Sequence, residues 1–531
     1  MSEAIDISTA QRKTFLALLR RFIPGVEVWA YGSRAKWTAR PNSDLDLVAF
    51  TSPEQNEKIS ALKEALAESN LPFLVDLHVW SEVPERFHEI IRKEYVVIQG
   101  ESISPLPDGW RTLPLEECMA AIIDYRGKTP TKTTFGVPLV TAKIVKGGRI
   151  EPAEEFIAES DYEPWMRRGI PEKGDVVMTT EAPLGEVAQL DGRRVALAQR
   201  VITLRGKPGL LDNGYLRYLL QSTPVQDELK ARATGTTVLG IKQSELRKVL
   251  LTLPPLSFQK STAHILGTLD DKIELNRRMN TTLEAMAQSI FQSWFVDFDP
   301  VRRNAEGECP RPEDILFPDF FVNSVVGDIA RGWTVERVGD VVDCVGGGTP
   351  STKEPKFWDD GVHNWATPKD FSSLQSPILI DTSRKLTNAG IAKISSGLLP
   401  AGTLLLSSRA SVGYLAISAI PVAINQGFIA MKCNDRASNY FMLNWCQANM
   451  GEIKSRATGT TFPEISKNSF RPISVLLPPK KLVAHFTVRV APLYAQIIAN
   501  LHQSCNLARL RDTLLPKLLC GELLSSKNRL I

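Results

Sequence analysis

Three aspartates and a glycine–serine pair near the N-terminus have the residue types and spacing for phosphoryl-transfer chemistry. Residues 28–48 read VWAYGSRAKWTARPNSDLDLV: an apolar strand, a turn at Gly32-Ser33, then a second strand carrying Asp44 and Asp46. A later strand, FLVDLHVW at 73–80, adds Asp76. Alternation along a strand puts residues i and i+2 on one face, so Asp44 and Asp46 can share divalent metals. Two Mg²⁺ ions bridged by carboxylates can activate a nucleophile and neutralise a triphosphate, while Gly32 and Ser33 let the chain approach its phosphates closely. Asp44, Asp46 and Asp76 are therefore the candidate catalytic and metal residues, and Gly32 and Ser33 the candidate nucleotide contacts. His78 is expected to pack or meet solvent rather than ligate.

The rest of the chain is organised by an internal repeat. Residues 232–255, RATGTTVLGIKQSELRKVLLTLPP, align with 456–479, RATGTTFPEISKNSFRPISVLLPP, 224 positions later. Gly109-Trp110 and Gly332-Trp333 mark the two beginnings at nearly the same spacing. One module has been duplicated, each copy a mixed α/β region followed by a long helix.

The helices carry the pattern of a coiled-coil seam. In the first, Leu266, Ile273, Asn280, Ala287 and Trp294 recur every seven residues, with Leu269, Asn276, Leu283 and Ile290 three places on. The second follows with Val490, Ile497, Ser504, Arg511 and Leu518, and with Leu493, Asn500, Leu507 and Leu514. Asn276 and Asn500 interrupt apolar stripes at matching places. A polar group there costs stability but sets register, so the helices are expected to pack antiparallel about a pseudo-dyad with these two amides facing each other.

At 531 residues the chain exceeds one core, and 43% hydrophobic with 23% charged residues is ordinary for a globular protein. The longest apolar runs, such as Leu398–Leu406, fall short of a membrane span, and the N-terminus lacks a signal-peptide pattern, so a cytoplasmic protein with no membrane partner is expected. Seven scattered cysteines, never paired as CxxC, suggest neither disulfides nor zinc. A net charge of +4 permits nucleic-acid binding without demanding it. Gly346-Gly347-Gly348-Thr349-Pro350-Ser351 lacks the lysine and helix of a phosphate loop, and a turn feeding a strand explains it better. Nor is there the Asn/Asp-Pro-Pro-Tyr/Phe type of sequence of an amino-methyltransferase.

The repeated halves resemble the target-recognition domains of type I restriction-modification specificity subunits, and the helices resemble that family's central and distal conserved regions. The match is carried by DYRGKTPTKTTFGVPLVTAKIVKGGRI at 124–150, LDDKIELNRRMNTTLEAMAQSIFQSWFVDFDP at 269–300, GGGTPSTKEPKFWDDGVHNWATPKDF at 346–371 and RLRDTLLPKLLCGEL at 509–523. Residues 10–100 resemble the minimal nucleotidyltransferases, whose Gly-Ser, Asp-x-Asp and distant third carboxylate are all present. The usual Arg-Gly of the spacer is Lys36-Trp37 here, a bulky residue that could obstruct nucleotide or acceptor, so an active and a vestigial domain both remain open.

The resemblance implies an α/β multidomain chain. A nucleotidyltransferase-like α/β domain at 1–104 precedes an α/β target-recognition domain at 105–255, a central helix at 256–300 and a linker at 301–330. A second recognition domain at 331–478 and a distal helix with tail at 479–531 follow, the two long helices forming an antiparallel coiled coil. It also implies a subunit that is not itself catalytic, holding methyltransferase (M) and restriction (R) subunits on a bipartite asymmetric site in double-stranded DNA. S-adenosylmethionine and ATP would then be bound by the partners, with no cofactor in the specificity body and Mg²⁺ and an NTP only in the N-terminal domain. A competing reading is a metal-dependent nucleotidyltransferase acting on a protein or RNA acceptor, with the halves as adaptors.

Cationic and amide side chains on loops can reach phosphates and base edges. The candidates are Lys128, Thr129, Lys143, Lys146, Gln199, Arg200, Arg232 and Thr236 in the first half. Those of the second are Thr349, Ser351, Lys369, Arg409, Gln426, Arg456 and Thr460. The repeated Arg-Ala-Thr-Gly-Thr-Thr either touches DNA or caps the preceding helix.

Overall fold

The computed structural model describes residues 5–40, 43–51, 56–99, 107, 109–125, 127, 129–235, 238–307, 311–324, 326–409, 411–459 and 463–522. The chain divides into two compact units, Met1–His264 and Ile265–Ile531.

The first unit begins with a sheet in the order β3-β2-β1-β4, where β1 is Glu27–Tyr31, β2 Leu45–Phe50, β3 Val75–Val79 and β4 Val96–Gln99. β1 is antiparallel to β2, and β2 is parallel to β3 with Asp46 opposite Asp76. Strand alternation separates two faces. Val28, Ala30, Leu45 and Leu47 bury against Phe15 and Leu19 of the helix Thr9–Phe22 and Leu62 of the helix Asn56–Ala67. Asp46 therefore falls on the face those helices leave uncovered.

The remainder of this unit and the second unit repeat one topology. In the first half, Leu184–Gln189, Val176–Thr180, Val201–Gly206 and Met119–Asp124 form a sheet in that order. Its counterpart in the second half runs Leu415–Ser418, Leu404–Ser407, Phe428–Lys432 and Asp343–Gly346, with Ile378–Leu379 added at one edge. The central strands VVMTT and LLLS are buried at every residue, which is why they read as continuous runs rather than alternating ones. A smaller sheet also recurs, as Phe156–Ile157, Val137–Val140 and Ala196–Leu197 and as Arg384–Leu386, His363–Ala366 and Val422–Ile424, each with one antiparallel and one parallel pairing. Each half is closed by its first and last strands, Arg111–Pro114 with Leu250–Leu253 and Thr334–Arg337 with Ser474–Leu477.

The stretch 301–330, expected as a linker, is folded. It holds a helix Asp299–Glu306, a turn of 3₁₀-helix Asp314–Leu316 and a hairpin of Phe321–Ser324 with Gly327–Ala330. The cause is a fully buried carboxylate: Arg303 donates to both oxygens of Asp314, from Nε at 3.0 Å and Nη2 at 2.7 Å, and holds its pKa below the usual range.

Two long helices, Leu256–Phe291 and Lys480–Leu519, follow the closing strands of the two halves. The first is fastened at its start by the buried Gln259, which accepts from Asp212 N–H and donates to the carbonyls of Leu210 and Pro254. Within the second unit the helices run antiparallel: Trp294 stacks on His485, and Arg511 reaches Asp270 at 2.7 Å. Between these ends Asn276 Nδ2 donates to Ser504 Oγ at 3.2 Å, and Asn500 Nδ2 donates to Asn280 Oδ1 at 2.8 Å. Adding the repeat offset to one contact gives the other, so they form a pseudo-twofold pair. Asn276 and Asn500 are both buried, as expected, and Asn276 also reaches the Asn500 carbonyl at 3.4 Å. Their side-chain amides do not pair with each other, however. Each meets the partner helix at the position one turn away.

The second long helix is also apolar enough by length and composition to cross a membrane, with mean hydropathy 1.4 in its best window. Its apolar residues have protein partners instead: Phe486, Val490, Tyr494 and Ile497 lie in one core with Ala287, Phe291, Phe441 and Met442.

Replacing Asn500 by Ala strips Asn280 Oδ1 and the Gln496 amide of their partner and should cost about 1–3 kcal/mol. Urea unfolding of the full chain measures it. An unchanged midpoint would show that these amides do not hold the seam.

Candidate functional site

In the N-terminal domain the Gly32-Ser33 turn and the Asp46 carboxylate are built against each other. Gly32 has φ +78°, and a β-carbon there would collide with Asp46 Oδ2, so glycine is required on both counts. Asp46 is raised above its ordinary pKa by burial first, then by the charges of Asp76 and Asp44, with His78 opposing. Tyr31, at the end of β1, is pushed up to about 12 by burial and by Asp46 and Asp76. The three carboxylates thus share one electrostatic neighbourhood.

The metal expectation for Asp44, Asp46 and Asp76 rests on this proximity. Among the described residues no group of three His, Cys, Asp or Glu side chains is disposed to hold a metal ion. Asp44 is exposed just ahead of β2, and Asp76 is taken by His78, whose Nε2 lies 3.1 Å from Asp76 Oδ2. His78 is exposed, but its partner is a carboxylate rather than solvent alone.

The spacer explains itself differently. Arg34 is buried, donating to the carbonyls of Ser43 at 2.8 Å and Asp6 at 2.8 Å, with its guanidinium 4.0 Å above the Phe73 ring. Lys36 pairs with Glu94. Trp37 adopts a left-handed backbone, at φ +58°, with its ring exposed. A bulky residue in that region is strained.

In each repeated half a cleft forms where a central strand ends. The first encloses about 350 Å³ and is lined by Thr180, Glu181, Gln199, Arg200, Thr234 and Lys242, among others. Its frame is backbone: Thr180 N–H donates to the Arg200 carbonyl at 3.0 Å, Ile241 N–H donates to the Thr180 carbonyl at 3.0 Å, and Thr234 pairs with Gly240 to close the loop between them. Gly235, at φ +112°, makes that loop possible, since a β-carbon would strike the Val238 carbonyl. The second cleft encloses about 510 Å³ and includes Ser408, Gln426, Glu464 and Lys467. It repeats the frame. Ser408 N–H donates to the Gly427 carbonyl at 2.8 Å, Ile465 N–H donates to the Ser408 carbonyl at 2.9 Å, and Thr458 pairs with Glu464.

The sequence candidates divide between cleft, rim and elsewhere. Gln199, Arg200 and Gln426 line the clefts, and Arg409 joins the second by pairing its backbone with Glu464. Thr349 bonds the Gln426 side chain from the adjoining loop. Ser351 is exposed and its carbonyl accepts from the Trp358 indole, and Lys369 is exposed on the short helix Pro368–Ser372. Thr129, Lys143 and Lys146 are exposed away from the cleft lining, Lys143 in an ion pair with Glu154. Lys128, Thr236 and Thr460 lie outside the described residues. The repeated motif separates into two roles. Arg232 and Arg456 are helix C-caps paired with Glu228 at 3.0 Å and Glu452 at 2.8 Å, while Thr234 lines the first cleft. Gly347 proves to be a close backbone approach, where a β-carbon would strike the Ile424 carbonyl, and not a phosphate loop. The sequence reading missed Glu181, because an acidic residue does not stand out as a DNA-reading candidate.

Two stretches, 128–285 and 330–482, match the family described as the type I restriction modification DNA specificity domain. The chain belongs to that family. Residues 12–98 match the nucleotidyltransferase domain family. The chain is similar to the MjaIX type I restriction enzyme specificity subunit of Methanocaldococcus jannaschii, 25% identical over 79% of this chain and 95% of that one. It is also similar to the HindI specificity subunit of Haemophilus influenzae, 28% identical over 58% of this chain and 77% of that one. Its N-terminal segment is similar to the probable protein adenylyltransferase MntA of Haemophilus influenzae, 45% identical over 18% of this chain and 84% of that one. The protein is the specificity component of a type I restriction-modification system, extended by a nucleotidyltransferase domain.

Two substitutions test the N-terminal site. Trp37→Gly should stabilise the chain by about 1 kcal/mol through relief of the left-handed strain, read from thermal melting. Asp46→Asn should be more stable than the parent at neutral pH. The raised carboxyl makes the folded parent bind more protons than the unfolded chain, so the parent loses stability as pH climbs above the ordinary value of 3.8. The variant's advantage should therefore vanish below that pH in paired melts.

Proposed function

We propose that this chain reads a bipartite, asymmetric sequence in double-stranded DNA, one half-site in each cleft, and holds methyltransferase and restriction subunits on it. The observation that carries the reading is the duplicated cleft. The same backbone frame appears twice with different side chains, an arrangement suited to reading two different sequences in equivalent ways. The long helices suit the spacing role, since 36 and 40 residues would extend about 54 and 60 Å at 1.5 Å per residue. S-adenosylmethionine and ATP chemistry belongs to the partner subunits, and the site of action is the cytoplasm.

A second reading concerns the N-terminal domain: transfer of a nucleotidyl group to a protein or RNA acceptor. The packing of Asp46 on Gly32 favours it, while the exposed, strained Trp37 opposes it. Transfer of label from a radiolabelled NTP to an acceptor, abolished in Asp46→Asn, would support it. No transfer with any NTP would leave a vestigial domain.

The main reading is tested by a methylation map of DNA from cells carrying this chain with its methyltransferase subunit. The expected result is two unlike half-sites separated by a fixed spacer. Replacing Arg200 by Ala should weaken DNA binding by the complex, and if Arg200 meets phosphate the salt slope should fall by about one unit. A map with one contiguous site would contradict the proposal.

A further inference from the structure

Glu181 and Arg409 occupy the same position of the duplicated backbone frame, Glu181 in the lining of the first cleft and Arg409 bordering the second through its backbone pairing with Glu464. Each is the first residue after the frame-making strand end, following Thr180 or Ser408, whose peptide groups bond to the Gln199-Arg200 or Gln426-Gly427 turn and to Ile241 or Ile465. Each also pairs its own backbone with the repeated loop, Glu181 with Gly240 and Arg409 with Glu464. Some of the surrounding chemistry is kept, since Thr180 and Ser408 are both buried hydroxyls and Gln199 and Gln426 both present an amide, while Arg200 gives way to Gly427 and Gly240 to Glu464. Only at this position does a carboxylate become a guanidinium.

Folding does not account for either charge. The Glu181 carboxylate approaches Arg200 only to 3.8 Å, with the side chains 45% and 52% exposed, a geometry worth little to stability. Arg409 makes no ion pair among the described residues, and its chain passes over Gly427, where a β-carbon would meet Arg409 Cγ at 3.5 Å. Phosphate binding does not account for both either, because a carboxylate is repelled by the backbone that a guanidinium attracts.

Base edges do account for both. A carboxylate only accepts hydrogen bonds and a guanidinium only donates. In the major groove cytosine offers its N4 amino donor, whereas guanine offers the O6 and N7 acceptors that match a guanidinium fork. Resting on the proposal that the clefts read DNA, we infer that position 181/409 is a base-reading position of the duplicated frame. Glu181 specifies cytosine at one place in the first half-site, and Arg409 specifies guanine at the equivalent place in the second.

The test uses the full chain in complex with its methyltransferase subunit, selecting from duplex libraries in which each half-site is randomised in turn. Glu181→Gln should lower the preference for cytosine at one position of the first half-site by about tenfold and leave the second half-site unchanged. Arg409→Lys keeps the charge but loses the fork, so it should relax guanine at one position of the second half-site while total affinity holds. Both changes are isosteric or charge-preserving on part-exposed side chains, and melting temperatures equal to the parent's confirm folding. Uniform loss across all sequences, or unchanged preferences in folded variants, would overturn the inference while a bipartite selection by the parent still stood. A parent complex that selects no bipartite site would instead remove the proposed function beneath it.

Discussion

The second unit is organised by the antiparallel pairing of two long helices, and that pairing depends on a pair of buried amides. Leu, Ile and Val layers alone would let the helices slide by a heptad at modest cost, because one apolar layer resembles the next. Asn276 and Asn500 remove that freedom. Each must find an acceptor inside the seam, and only one register brings Asn276 to Ser504 and Asn500 to Asn280. The ion pair of Arg511 with Asp270, both largely screened from solvent, marks the same register farther along. At the other end Phe291, Trp294 and Phe486 carry the seam directly into the core of the second half. Register is therefore a property of side chains and not of helix length alone.

Above this foundation the two halves separate frame from content. The frame is made of backbone hydrogen bonds, left-handed glycines at 235 and 459, and capped helices ending at Arg232 and Arg456. None of these depends on which side chain projects into the cleft. Glu181, Gln199, Arg200 and Gln426 line the clefts without contributing side chains to that backbone frame. This is the physical condition under which a duplicated module can acquire two specificities.

Much of this was legible in the residues. The repeat appears in the matching RATGTT, Ile, Arg, Leu and Pro-Pro positions of 232–255 and 456–479, and the seam as a seven-residue period with matched asparagines. What was less legible arises from tertiary geometry. The amides were expected face to face, yet an antiparallel crossing sets each one turn from its copy, so its partner is the copy of a different residue. The stretch 301–330 looked like a linker because Arg303 and Asp314 lie eleven positions apart, and nothing local announces that the carboxylate will be fully buried. The three aspartates do approach one another, but the sequence does not tell that His78 will take Asp76. Trp37 was visible as an oddity in its motif, and the structure places it in the left-handed region that favours glycine. Glu181 escaped notice because the repeated segment legible in the sequence starts after it and because acids are not sought in DNA-facing loops.

The central claim is that the two halves are interchangeable readers on one frame. It is tested most directly by a chimera in which residues 331–478 are replaced by a second copy of 105–255, with both long helices left intact. Expressed with its methyltransferase subunit, the chimera should methylate a palindrome built from the first half-site of the parent, with the spacer unchanged. A folded chimera that binds the methyltransferase but still modifies the parent's asymmetric site, or modifies a single half-site, would contradict the account.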